Sequence, residues 1–130
     1  MADMAYVTRS SKCMADTVDA VQAAATDAGW MVLVVHDLKQ RFVSKGFDWE
    51  GGLTIIEICN SKFATQMVSA NPRLALHLPC PIVVREDEDG VEVSTLHTTF
   101  VAGLFPETDL GTAAVDVESI VTGIIDAAVA

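Results

Sequence analysis

The stretch that most constrains this chain is residues 81–95, where two strand-forming runs meet at an acidic turn ending in Asp89-Gly90. Asp-Gly between apolar runs is a strong hairpin signal, because glycine accepts the positive φ that a tight antiparallel turn demands. Pro81-Ile82-Val83-Val84-Arg85 leads in, and Val91, Val93 and Thr95 alternate with polar residues on the way out. Alternation at period two buries one sheet face and leaves the other wet. The rest of the chain must supply the cover.

Upstream, Tyr6-Val7-Thr8 predicts a first strand. Met14, Val18, Val21, Ala25 and Ala28 recur at helical spacing, and Gly29 stands where a left-handed helix cap is wanted. Trp30 to Val35 is continuously apolar and reads as a core strand. Asp37 is placed to cap a short helix holding Leu38 and Phe42, closed by Gly46. Leu53 to Ile58 is the next strand, interrupted by the charge of Glu57. Ser61 to Ala70 is helical, with Phe63, Ala64, Met67 and Val68 on one face, and Asn71-Pro72 stops it. Residues 98–112 read as irregular. Asp116 is the predicted cap of a last helix whose stripe is Val117, Ile120, Val121, Ile124, Ile125 and Ala128. Hairpin strands with single helices predict an α+β two-layer sandwich: a mainly antiparallel sheet of about five strands with helices packed on one face.

Charge narrows the function. With 18 acidic against 8 basic residues the net charge is −10, which repels phosphate backbones and anionic membranes alike. No nucleic-acid or membrane partner is expected. No run is long enough to span a bilayer, and no apolar core follows a basic N-terminus as in a signal peptide. Three cysteines, an odd number, fit free thiols better than a disulfide framework, so the cytoplasm is the expected compartment. No phosphate loop, nucleophile elbow, His-Glu-x-x-His or dinucleotide fingerprint is present, and no catalytic set can be read.

One stretch still holds candidate chemistry, CNSKFATQMVSANPRLALHLPC from Cys59 to Cys80. Cys59 precedes Asn60, the predicted cap of a helix whose N-terminus favours a thiolate. Cys80 opens the hairpin. The sulfurs meet if those two strands are antiparallel neighbours; the plainer alternative is two small buried hydrophobes. Converging thiols suit Cu(I), or a tetrahedral zinc with His77 or His36 added, and haem held through one of these residues is a further candidate. The same pair, with Cys59 as nucleophile and Cys80 as resolver, suits thiol redox or persulfide carriage. Cys13 precedes the first helix, and Glu57 and His97 read as boundary residues. Glu86 to Asp89 lacks the spaced ligands of a calcium loop and reads as a solvated turn.

The pattern ICNSKFA, then Asn71-Pro72, then HLPCPIVVRED before Asp89-Gly90 resembles the domain of unknown function 302 family. The matching residues are Cys59, Asn60, Ala64, Pro72, Leu78, Pro79, Cys80 and Gly90, with Ser61 standing for the family's usual proline and Asn71 for its aspartate. Both replacements cap or turn well. The resemblance covers residues 5–97 and leaves 98–130 as a C-terminal extension ending in an amphipathic helix. It implies a small α+β domain that tends to be a homodimer, with no settled activity. The expected function is a binding protein holding a soft ligand (copper, zinc or haem) near Cys59 and Cys80. The alternatives are a thiol redox or sulfur-carrier protein and a structural or partner-binding dimer module.

Overall fold

The computed structural model describes residues 3–130. The elements are β1 (Ala5–Ser10), α1 (Met14–Asp27), β2 (Met31–Asp37), α2 (Leu38–Ser44), β3 (Leu53–Cys59), α3 (Ser61–Ala70), a 3-10 turn (Pro72–His77), β4 (Cys80–Asp87), β5 (Gly90–Leu96), α4 (Thr98–Gly103) and α5 (Ala113–Val129). Five strands form one sheet in the order β1-β5-β4-β3-β2, every neighbour antiparallel. The two-residue Glu88-Asp89 turn joins the two inner strands β4 and β5, and Gly90, at φ +120°, opens β5 opposite Asp87.

Alternation sorts the sheet as the hairpin predicts. Ile56, Ile58, Ile82, Val84, Val91 and Val93 are buried on one face. They pack in one core with Val21 and Ala25 of α1, Met67 of α3, and Val121, Ile124 and Ile125 of α5. The residues between them on β3, β4 and β5 stay partly open on the other face. Across that open face, Arg9 forks onto Asp87 at 2.9 Å through both guanidinium nitrogens, and Arg85 forks onto Glu92 at 2.7 and 3.0 Å. The expected α+β two-layer sandwich is the fold.

Local chemistry sets the helix boundaries. Asp37 Oδ1 accepts the Gln40 amide at 2.9 Å, and Asn60 Oδ1 accepts the Lys62 amide at 3.1 Å, so both predicted caps are in place. Gly29, at φ +81°, turns the chain out of α1. Three readings of the sequence need correction. Residues 30–35 read as a core strand, yet only Trp30 is buried; β2 is an edge strand with Met31, Leu33, Val34 and Val35 exposed. A continuous apolar run cannot distinguish a central strand from an edge. Within the stretch read as irregular, residues 98–103 form α4, too short for periodicity to register.

The last helix begins at Ala113 after Thr112, and Asp116 lies inside its first turn, accepting the Thr112 hydroxyl at 2.9 Å. A carboxylate there serves the helix dipole without being the cap. The C-terminal extension, residues 98–130, packs on its own sheet: Val101 of α4 and the stripe of α5 lie in the same core as the sheet. Tyr6 of β1 donates its hydroxyl proton to Asp126 of α5. Lys12 Nζ donates to the carbonyls of Ala128 and Ala130 at 2.9 and 2.8 Å, satisfying groups a helix C-terminus leaves open.

Candidate functional site

Register decides whether the two thiols meet. In the β3–β4 ladder Ile58 lies opposite Cys80, so Cys59 sits one residue beyond the partner of Cys80 at the same end of the sheet. β3 then passes through Asn60 into α3, and the 3-10 turn brings the chain back through His77 and a cis Leu78-Pro79 peptide to Cys80. The loop closes over a small cavity. Cys59, Cys80 and His77 line it together with Trp30, Phe63 and Met67. Its free volume is about 20 Å³, the room for one water-sized sphere.

The walls are apolar. Trp30 and Phe63 stack with ring centres 6.2 Å apart and planes inclined by 26°. Cys80 is buried, Cys59 half-buried, and both are free thiols. Burial pushes the Cys80 thiol up to about 11, and the neighbouring Cys59 adds to the push. The Thr95 hydroxyl offsets only part of it; its single proton is given to the Pro81 carbonyl at 2.8 Å. Burial also lowers the pKa of His77 below the ordinary imidazole value of 6.5, so the ring is neutral at pH 7 with a lone pair to offer.

His36 is elsewhere. It pairs with Ile55, four residues before Cys59 and about 13 Å along the strand at ~3.3 Å per residue. Its Nε2 lies 3.5 Å from Glu57 on the open face, and its Nδ1 is 3.3 Å from the Arg41 guanidinium. Sequence adjacency to a core strand suggested a ligand; the pleat turns the ring away from the cavity. The same contact explains the charge within β3, since Glu57 faces His36. Among the described residues no group of three or more histidine, cysteine, aspartate or glutamate side chains is arranged to hold a metal ion. The four-ligand set of Cys59, Cys80, His77 and His36 is therefore not assembled.

Cys13 is exposed and caps α1, its Sγ accepting the Asp16 amide at 3.5 Å. His97 packs edge-on against Tyr6, with Nδ1 buried 3.2 Å from Glu118 Oε1 but without hydrogen-bond geometry. Burial pushes the Glu118 carboxyl up, but the Thr99 hydroxyl and amide, with His97, more than offset this and hold it below the usual carboxylate value. Three wall residues escaped the sequence reading as site residues. Phe63 and Met67 carried a signal, since they share the apolar face of α3; Trp30 read only as core.

No helix among the described residues is long and apolar enough to cross a membrane. No curated protein matches the chain. The crystal structure of an uncharacterized conserved DUF302 protein from Bacillus stearothermophilus superposes with a TM-score of 0.90 at 23% identity, covering 97% of this chain and 98% of that one. That likeness speaks for the fold. The pattern of the domain of unknown function DUF302 matches residues 6–128, reaching past residue 97 through α4 and nearly all of α5, and on that match the chain belongs to the DUF302 family.

Proposed function

We propose that this chain is a small binding protein that holds a single Cu(I) ion between Cys59 and Cys80. The observation that carries the reading is the convergence of both thiols on one small apolar cavity whose wall also includes the Met67 thioether. Soft sulfur ligands select Cu(I), which is content with two or three of them. A free volume of about 20 Å³ admits a bare ion and is far too small for haem. Zinc is poorly served, because among the described residues no three histidine, cysteine or carboxylate side chains are arranged to hold it. Two thiolates and Cu(I) together carry one negative charge, and a proton taken up by His77 in the same wall would neutralise it.

The site also argues against thiol exchange. With its pKa near 11, Cys80 is a thiolate in roughly one molecule in ten thousand at pH 7, a poor resolving group. Anaerobic titration of a Cys13→Ser background against a coloured Cu(I) chelator tests the proposal. One equivalent should bind, and affinity should rise about tenfold per pH unit for each proton displaced. Cys59→Ala/Cys80→Ala with unchanged affinity refutes it.

A further inference from the structure

Sulfur forms a graded line at one end of the sheet, where four of the chain's eight sulfur-bearing side chains gather. Met67 and Cys80 lie innermost at 2% and 4% exposure, Cys59 is half-buried, and Met31 stands outside at 61%. In the β2–β3 ladder Met31 lies directly opposite Cys59, and the irregularity of β2 falls beyond Val32, clear of this pair. Residues so placed in an antiparallel ladder point to the same side, with Cβ atoms about 4.5–5.5 Å apart. Methionine is unbranched, so its thioether swings across such a distance at little cost. The residue before it, Trp30, is buried in the cavity wall. Met31 thus stands on the rim of the cavity, beside the half-buried thiol and open to solvent.

The inner sulfurs are shut away from water, and the free space between them is about 20 Å³, so a donor molecule cannot enter along with its ion. A soft cation reaches such a place by ligand exchange: an incoming sulfur binds before the outgoing ligand leaves, and the charge is never stripped bare in apolar surroundings. The first incoming ligand has to be exposed, soft and within reach of the next. Met31 meets all three conditions. Met4 is similarly open at 52% but precedes β1, at the opposite edge of the sheet from β2.

Resting on the Cu(I) reading, we infer that Met31 is the entry ligand of the site: its thioether takes Cu(I) from a soluble donor complex and passes it inward to Cys59. Each exchange forms one bond to copper as another breaks, and the departing ligand keeps its electron pair. Copper stays Cu(I) throughout, so no oxidant or reductant is consumed. Cys59 releases its proton to solvent as its sulfur binds, and the ion then moves on to lie between Cys59 and Cys80, leaving Met31 free.

Stopped-flow transfer from the coloured Cu(I)–bicinchoninate complex tests this in the Cys13→Ser background, without oxygen and with capture first order in protein. Met31→Leu keeps the bulk of the side chain and removes the sulfur. Capture and release should both slow about tenfold, while the equilibrium affinity stays within about twofold, because a group used only on the way in alters the barrier and not the end state. Met4→Leu should change neither rate. Capture by Met31→Leu at the background rate overturns the inference and leaves the two-thiol site standing. An affinity that falls as far as the capture rate also overturns it, since Met31 is then a resident ligand, as does equal slowing by Met4→Leu. A background protein that takes up no copper overturns the Cu(I) reading itself, and this inference with it.

Discussion

The buried thiol of Cys80 makes a sharp prediction about alkaline stability. Its pKa in the folded protein is about 11 against the usual 9.0, chiefly because burial penalises the thiolate. A folded pKa raised above the unfolded one means that the contribution is whole below pH 9 and is lost as pH rises through 11. Over that window the unfolded chain gives up a proton that the native one retains. Two pKa units correspond to roughly 3 kcal/mol when fully expressed, and to roughly 1 kcal/mol at pH 10. The assay is urea unfolding of native protein and Cys80→Ala between pH 7 and 10.5, both in the Cys13→Ser background. Ionisations shared by the two proteins cancel in the difference. At pH 7 the variant should be less stable by about 1–2 kcal/mol, the usual consequence of removing a small buried group; by pH 10.5 the gap should close or reverse. A difference that stays flat from pH 8 to 10.5 would refute the claim that the Cys80 sulfur is held neutral by burial.

Other expectations follow from separate contacts. The Asp87 carboxyl is held down to about 2 from 3.8, first by the forked Arg9 guanidinium and then by the Asp89 amide; its contribution is present above pH 4 and lost as pH falls through 2. Arg9→Met should return the Asp87 titration seen by NMR toward ordinary values, and an unmoved titration would remove Arg9 as the cause. Gly51 has φ +77°, and a Cβ there would collide with the Glu86 carbonyl oxygen, so Gly51→Ala should cost about 2–3 kcal/mol in urea unfolding. With a thiol-reactive dye, Cys13 should label within the mixing time and Cys80 only as fast as the protein unfolds; equal rates would contradict the burial assigned to Cys80. Ile125 is fully buried, and Ile125→Ala should cost about 2–5 kcal/mol by the same unfolding measurement.

What could be read in the sequence was local. Asp89-Gly90 specified the central hairpin, the α3 stripe of Phe63, Ala64 and Met67 specified a helix, and Asp37 and Asn60 specified where two helices start, because each effect acts within a few residues. The convergence of Cys59 and Cys80 is a register fact: it depends on β3 and β4 being neighbours with Ile58 opposite Cys80, which no local pattern encodes. His36 failed as a ligand for the same reason, since its direction depends on the pleat of the sheet rather than on what precedes it. The apolar run at Met31 promised burial that a single chain does not supply. Residues 98–130 were set apart because the residues that carry the family resemblance end before them, although the stripe of α5 already held the pattern of a core element.

The placement of α5 bears on how the protein is made. Its stripe supplies Val121, Ile124 and Ile125 to the core, and its far end is tethered to Lys12 near the start of the chain. It is also the last element of the domain to be translated. At about 5–20 residues per second, its 17 residues take roughly one to three seconds to emerge. Through that interval all five strands have been made, while the helix that covers part of their apolar face has not. The nascent chain is then at its most vulnerable to aggregation, and a holdase chaperone would have its natural substrate in this half-roofed sheet.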